Sequence, residues 1–181
     1  AGKKKLYAHI GTGNFHEENA RLYCDHSLLT CDERITAEVK NIFEFFQNNY
    51  KRTPFRYLLV SPFNARKRFL ELISEEIRNA RRQHDAYIIL KLNNLVDEEL
   101  IAKLYQASQE GVKIKIIVRG TCSLIPGVKG MSENIEAVSI VDRFLEHSRV
   151  YIFGNDGHEL MYISSADWMQ RNLDYRIEVT T

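Results

Sequence analysis

Three short apolar runs, separated by two long amphipathic stretches, constrain this chain more than any other feature. Tyr57-Leu58-Leu59-Val60, residues 86–92 and residues 112–118 are compact and apolar, the pattern of strands buried in a sheet. Between them, residues 64–82 carry Phe69, Leu72, Ile73 and Ile77 on one helical face. Residues 97–109 form a second helix, which Gly111 stops. The order strand, helix, strand, helix, strand predicts an α/β layered domain with a largely parallel sheet.

Ahead of this unit, residues 5–10 read as a strand that ends in a tight Gly11-Thr12-Gly13-Asn14 loop. Residues 33–47 predict a helix with Ile35, Val39, Ile42, Phe43 and Phe46 on one face and Thr30 or Asp32 as its cap. The polar stretch 48–54 ends in proline and marks a boundary, dividing the chain into 1–53 and 54–181. Behind the central unit, strands are expected at about 135–141, 149–153, 160–164 and 175–179, with Asn155-Asp156-Gly157 as a hairpin turn.

Composition narrows the function. A chain of 181 residues that is 44% hydrophobic can build a packed core, which argues against disorder. Lys plus Arg number 25 and Asp plus Glu 24, leaving +1, so phosphate would be handled by placed residues and not by bulk charge. Near-neutrality also speaks against a broad electrostatic binder, which needs many cationic contacts. Cys24, Cys31 and Cys122 form no CxxC pair, which points to reduced thiols, a cytosolic setting and no zinc. There is no signal peptide and no apolar run near the ~18 residues that a membrane span needs. Ala1-Gly2, then three lysines running straight into a strand, read as a cut in a longer protein.

The two ends of the chain resemble each other. Ile10-Gly11-Thr12-Gly13-Asn14-Phe15 lies on Ile163-Ser164-Ser165-Ala166-Asp167-Trp168 at an offset of 153, and the same offset pairs Asn19 with Asn172 and Asp25 with Glu178. In each copy a strand ends in small and hydroxyl residues, then an amide or acid, then an aromatic. Small residues let backbone approach a ligand closely, and hydroxyl and amide groups can donate to phosphate oxygens. Two such halves imply a site at a pseudo-twofold interface. The second copy has Glu146-His147-Ser148-Arg149 before its strand, whereas the matching place in the first copy falls ahead of residue 1. The first half is therefore expected to be truncated.

The His147-x-Arg149 pair, a strand hairpin and the closing turn at residues 164–167 resemble the phospholipase D superfamily. The Asp that usually follows the basic residue is not plainly present, which weakens the case for phosphodiesterase chemistry. A wider resemblance, over essentially the whole chain, is to the large-type bacterial polyphosphate kinases. It rests on residues 7–23 (YAHIGTGNFHEENARLY), 90–97 (LKLNNLVD), 118–126 (VRGTCSLIP), 132–135 (SENI), 139–147 (SIVDRFLEH) and 162–174 (YISSADWMQRNLD).

That resemblance implies a phospholipase D-like layered sheet with flanking helices. It implies an enzyme that moves the terminal phosphate of ATP reversibly onto inorganic polyphosphate, with Mg2+ and a phosphohistidine. Tyr23, Arg119 and His147 match its nucleotide-contacting positions, with His147 also catalytic. The phosphohistidine belongs to a His-Ala-Lys segment upstream of this chain, as do the magnesium-associated arginines, so no metal ligand is assignable here. ATP or ADP and polyphosphate are the expected partners, with no nucleic acid and no transmembrane segment. The intact protein is expected to be a homo-oligomer in the cytoplasm or peripheral at the inner membrane, and this piece alone to be inactive.

The residues themselves suit that chemistry. Arg119 follows the strand 112–118, and ligands gather outside the C-terminal ends of strands in open α/β sheets. Its guanidinium fork matches phosphate oxygens, and Gly120 allows close backbone approach. His147 titrates near neutrality, with Glu146 or a more distant carboxylate to fix its tautomer. Tyr23 is suited to stack on adenine or hydrogen-bond to it. Thr12, Asn14, Arg149, Ser165, Asp167 and Arg171 are the candidate phosphate contacts. Arg143, Arg149, Arg171 and Arg176 would line a basic path for a polyanion, unless some are paired with Asp142, Asp174 and Glu178. His9 and His16 flank the first loop as supporting polar groups, and His26, His84 and His158 read as surface or local structural residues. Two other functions stay open: a phosphodiesterase that uses His147, and a non-catalytic polyanion-binding module.

Overall fold

The computed structural model describes residues 4–50 and 54–181. The centre of the expected boundary, residues 51–53, and the first three residues lie outside that range.

Strand β1 (Ala8–Gly11) pairs antiparallel with β3 (Ser27–Thr30). Between them come the short helix α1 (Glu17–Ala20) and β2 (Tyr23–Cys24). Helix α2 (Glu33–Gln47) follows, with Asp32 accepting from the Arg34 N–H at its N-terminus. Of its expected inner face, Ile42 is buried and Ile35 and Val39 are partly covered, but Phe43 and Phe46 are exposed. The helix meets only a small target, so the apolar stripe outruns the surface that covers it.

The main sheet is built from β4 (Leu59–Ser61), β5 (Tyr87–Leu92), β6 (Lys113–Val118), β7 (Ile135–Val138), β9 (Arg149–Phe153), β10 (Leu160–Ser164) and β11 (Glu178–Thr180). Its order is β4-β11-β10-β9-β5-β6-β7. Only β5, β6 and β7 run parallel; the pairs β9–β5, β10–β9, β11–β10 and β4–β11 are antiparallel. The expected largely parallel sheet is thus corrected to a mixed one. The physical reason is the hairpin at residues 154–158. It returns the chain beside itself as β9 and β10, and these two strands with β11 stand between β4 and β5, so β4 and β5 are not neighbours. At its tip Asn155, Asp156 and Gly157 all have positive φ.

Helices α3 (Ala65–Arg81) and α4 (Glu98–Gln109) pack together on one face of this sheet. Period-two alternation puts Ile88, Leu90, Leu92, Ile114, Ile116 and Val118 under them. Phe69, Tyr151 and Trp168 meet at ring-centroid distances of 5.4–5.6 Å in the middle of this core. Each such buried side chain stabilises the fold by about 1.5–3 kcal/mol. The opposite face of β4 carries Val60 into a second cluster with Ile10, Ile42 and Leu58, and Val179 of β11 packs against it. This second cluster holds β1 and α2 against the large sheet. The result is a mixed α/β layered fold with flanking helices. Asp97 and Gly111 close the two ends of α4, the glycine at φ 91°.

Candidate active site

The internal repeat has a structural counterpart in hydrogen-bond register. Gly11 pairs with Ser27, and Ser164 pairs with Thr180, each 153 residues further on. The Thr12 N–H donates to the His26 carbonyl at 2.9 Å, and the Ser165 N–H to the Val179 carbonyl at 3.0 Å. Thr12 Oγ1 donates to Asp25 Oδ1 at 2.7 Å, and Ser165 Oγ to Glu178 Oε2 at 2.5 Å. The same hydroxyls accept from the N–H groups of His26 and Val179. The copies part at the aromatic: Trp168 is fully buried, whereas Phe15 is 85% exposed.

His147 stands beside the first copy. β8 (Leu145–Glu146) pairs parallel with β2, and the N–H groups of His147 and Ser148 both donate to the Cys24 carbonyl. Lys91 fastens this turn from below, reaching the Ser148 carbonyl at 3.0 Å, Ser148 Oγ at 2.8 Å and Glu146 at 3.3 Å. Glu146 is therefore taken by Lys91, and the carboxylate on the imidazole is Asp25, whose Oδ1 lies 2.9 Å from His147 Nδ1. A carboxylate only accepts, so Nδ1 carries the proton and Nε2 keeps a lone pair. The Tyr23 ring packs on His147 at 4.8 Å.

A closed loop of hydrogen bonds surrounds this histidine. Asp25 holds His147 and accepts from Thr12; the Thr12 carbonyl accepts from Arg149 Nη1 at 2.8 Å. Arg149 Nε and Nη2 both donate to Asp167 at 3.2 Å. Asp167 Oδ1 accepts from the Asn93 N–H at 2.8 Å, and Asn93 Nδ2 returns to the His147 carbonyl at 3.2 Å. Arg119 joins through Nε, which donates to Asn93 Oδ1 at 3.1 Å.

Electrostatics favour a neutral imidazole here. Burial depresses the His147 pKa, the Arg149 and Arg119 charges depress it further, and Asp25 opposes them. Burial would raise the Asp167 carboxyl, but the Arg149 guanidinium and the Asn93 and Asn94 donors outweigh it and hold the group below its usual value.

The structure brings together Tyr23, Thr12, Arg119, His147, Arg149 and Asp167. Arg149 and Asp167 are buried and engaged with each other, and Thr12 is buried beneath the loop. Asn14 and Arg171 are exposed at the turns, while Ser165 is half-buried against Glu178. The alternative pairing of these arginines with Asp174 and Glu178 does not occur: Asp174 binds Arg66, and Glu178 takes Ser165 and Asn172. His16 caps α1, His9 packs on Phe15 at 4.9 Å and His84 meets Asp156 at 3.1 Å. Sequence reasoning gave Asp25 no role on the imidazole, although its place in the repeat marked it. It gave Asn93 and Lys91 none at all. A groove between α3 and α4 shares no residue with this cluster, whereas a cleft of about 130 Å³ lies against Arg119, Leu145 and Glu146.

No group of three His, Cys, Asp or Glu side chains able to hold a metal ion occurs among the described residues. The two site carboxylates, Asp25 and Asp167, are already engaged, so the residues present do not fit a magnesium ligand set. Among the described residues, no helix is long and apolar enough to cross a membrane.

Fold and site thus define a mixed α/β domain with two strand-turn repeats and one oriented histidine beside the first. Family models for polyphosphate kinase C-terminal domain 1 and C-terminal domain 2 match residues 1–52 and 58–181. The polyphosphate kinase of Escherichia coli K12 is 57% identical over 180 residues, covering 99% of this chain and 26% of that protein. That of Yersinia pestis is 58% identical over 173 residues, 96% of this chain and 25% of the relative. The crystal structure of polyphosphate kinase from Porphyromonas gingivalis superposes with a TM-score of 0.93 at 42% identity, covering 99% of this chain and 28% of the other. The chain belongs to the polyphosphate kinase family, and it spans about a quarter of the length of these relatives.

Proposed function

We propose that this chain forms the nucleotide side of a phosphoryl-transfer site, and that the longer protein moves the terminal phosphate of ATP reversibly onto inorganic polyphosphate through a phosphohistidine. The observation that carries the proposal is His147 held at Nδ1 by Asp25, with Tyr23 against its ring and Arg119 linked to it through Asn93. Phosphoryl transfer needs positioning and charge stabilisation more than covalent help from its surroundings. In this reading Arg119 binds nucleotide phosphate, Tyr23 stacks on the base and His147 exchanges a proton at the transferring group. Asn14, Ser165 and Arg171 contact polyphosphate, while Arg149 and Asp167, with Thr12, hold the wall of the site.

The phosphorylated histidine comes from the part of the longer protein that precedes this chain. Support for a second imidazole comes from the repeat, since Ser165 and Glu178 reproduce the hydroxyl–carboxylate pair that Thr12 and Asp25 present to His147. That imidazole attacks the γ-phosphorus as the bond to ADP breaks; a terminal polyphosphate oxygen then attacks the phosphorus as the P–N bond breaks. Magnesium would accompany the nucleotide phosphates. Residues 1–53 and 54–181 would belong to two successive catalytic subdomains.

The test is polyphosphate synthesis from ATP by the full-length protein, with phosphopeptide mapping under conditions that preserve phosphohistidine. Label on a histidine preceding this chain, with turnover lost in His147→Ala, is the expected result. Label on His147 itself, or a folded full-length protein that makes no polyphosphate, would overturn the proposal.

A further inference from the structure

Asn93 is 1% exposed, yet its side chain makes two hydrogen bonds toward two different functional groups. Its Oδ1 accepts from Arg119 Nε at 3.1 Å, and its Nδ2 donates to the His147 carbonyl at 3.2 Å. A guanidinium only donates and a carbonyl only accepts, so both contacts demand the same amide orientation, and a flipped amide would lose both. The backbone is equally fixed. The Asn93 N–H donates to Asp167, and its carbonyl accepts from the Gly120 N–H at 2.7 Å. A Cβ at Gly120 would stand 2.8 Å from that carbonyl, so the segment after Arg119 is pressed onto Asn93.

Sheet order explains why this residue can reach both. β5 lies between β6 and β9. β6 is parallel to it and ends just before Arg119, while β9 is antiparallel and begins just after His147. Asn93, the first residue past β5, therefore sits between the two.

We infer that Asn93 is a positioning residue that sets the separation between Arg119 and His147, so that nucleotide phosphate held by the guanidinium is presented to the imidazole. It touches no substrate. This rests on the roles given to Arg119 and His147 above.

A double-mutant cycle for ATP-dependent polyphosphate synthesis, run in the full-length protein, tests it. Asn93→Leu removes both polar ends at similar volume. It should lower kcat/KM about tenfold when Arg119 is present and less than about twofold in an Arg119→Ala background. Equal losses in the two backgrounds, or no loss from Asn93→Leu, would overturn the inference. If Arg119→Ala by itself leaves kcat/KM unchanged, the nucleotide role of Arg119 fails and takes the inference with it. Should thermal melting show that Asn93→Leu does not fold, Asn93→Asp serves instead. It keeps the acceptor for Arg119 and loses the donor to His147, so kcat should fall about tenfold with KM for ATP held within about twofold. An unchanged kcat would then overturn the inference.

Discussion

Arg149 donates Nη1 to the carbonyl of Thr12 at 2.8 Å, joining residues 137 positions apart. The contact ties the second half of the repeat to the loop of the first, directly beneath His147. Arg149 thus serves as a clasp between halves, and its charge is balanced by Asp167.

Breaking that clasp on one side should be costly. Arg149→Met leaves the Asp167 carboxylate buried without its cation and should destabilise the protein by about 3–5 kcal/mol. Adding Asp167→Asn removes the orphaned charge and should recover most of the loss. Chemical denaturation of the single and double variants checks both expectations.

The pH dependence has a definite sign. The folded state holds the His147 pKa below its ordinary 6.5, so the unfolded chain binds the proton more readily. Its contribution to stability is complete above the unfolded value and is lost as pH falls through the folded one. Activity that needs neutral His147 should persist to below pH 6.5. Asp25→Asn removes the group that opposes the depression and should move the acidic limb lower still. Imidazole titration by NMR, together with kcat against pH, measures this.

A side chain at Gly13 should displace the Asp25 carboxylate. A Cβ there would meet Asp25 Oδ2 at 2.0 Å. Gly13→Ala should push the carboxylate away from His147 and lower kcat about as far as Asp25→Ala does. Because only a side-chain terminus has to move, the melting temperature should fall by much less than for Arg149→Met. Comparing kcat and thermal melting across the three variants separates the two effects.

The stacking role proposed for Tyr23 assigns its contribution to the ring and not to the hydroxyl. Tyr23→Phe keeps the packing on His147 and should leave the KM for ATP within about twofold. Tyr23→Ala loses stacking worth about 1–3 kcal/mol and should raise KM roughly tenfold. Steady-state kinetics on the full-length protein distinguishes them.

Much of the fold was legible because burial is periodic. The alternation in β5 and the spacing of Phe69, Leu72, Ile73 and Ile77 in α3 gave those elements to within a residue or two at each end. Ends set by local competition were less legible. Tyr175, expected in the last strand, lies in the π-helical turn Arg171–Tyr175, and the strand starts at Glu178. The aromatic pair Phe43 and Phe46 stays exposed, since an apolar stripe records what a helix could bury and not what it finds.

By itself, the sequence determined the strand-helix order of the central unit and the 153-residue repeat, but not the short elements α1, β2, β3 and β8. The repeat even marked Asp25 as the equal of Glu178, because both follow a strand-turn at the same distance. Only the tertiary structure decided that Asp25, and not the adjacent Glu146, meets His147, and that Asn93 lies between Arg119 and His147. Periodicity is local and encodes which side of an element is buried. A hydrogen bond across 122 residues depends on which strands become neighbours, and here the parallel pairing of β8 with β2 decides it.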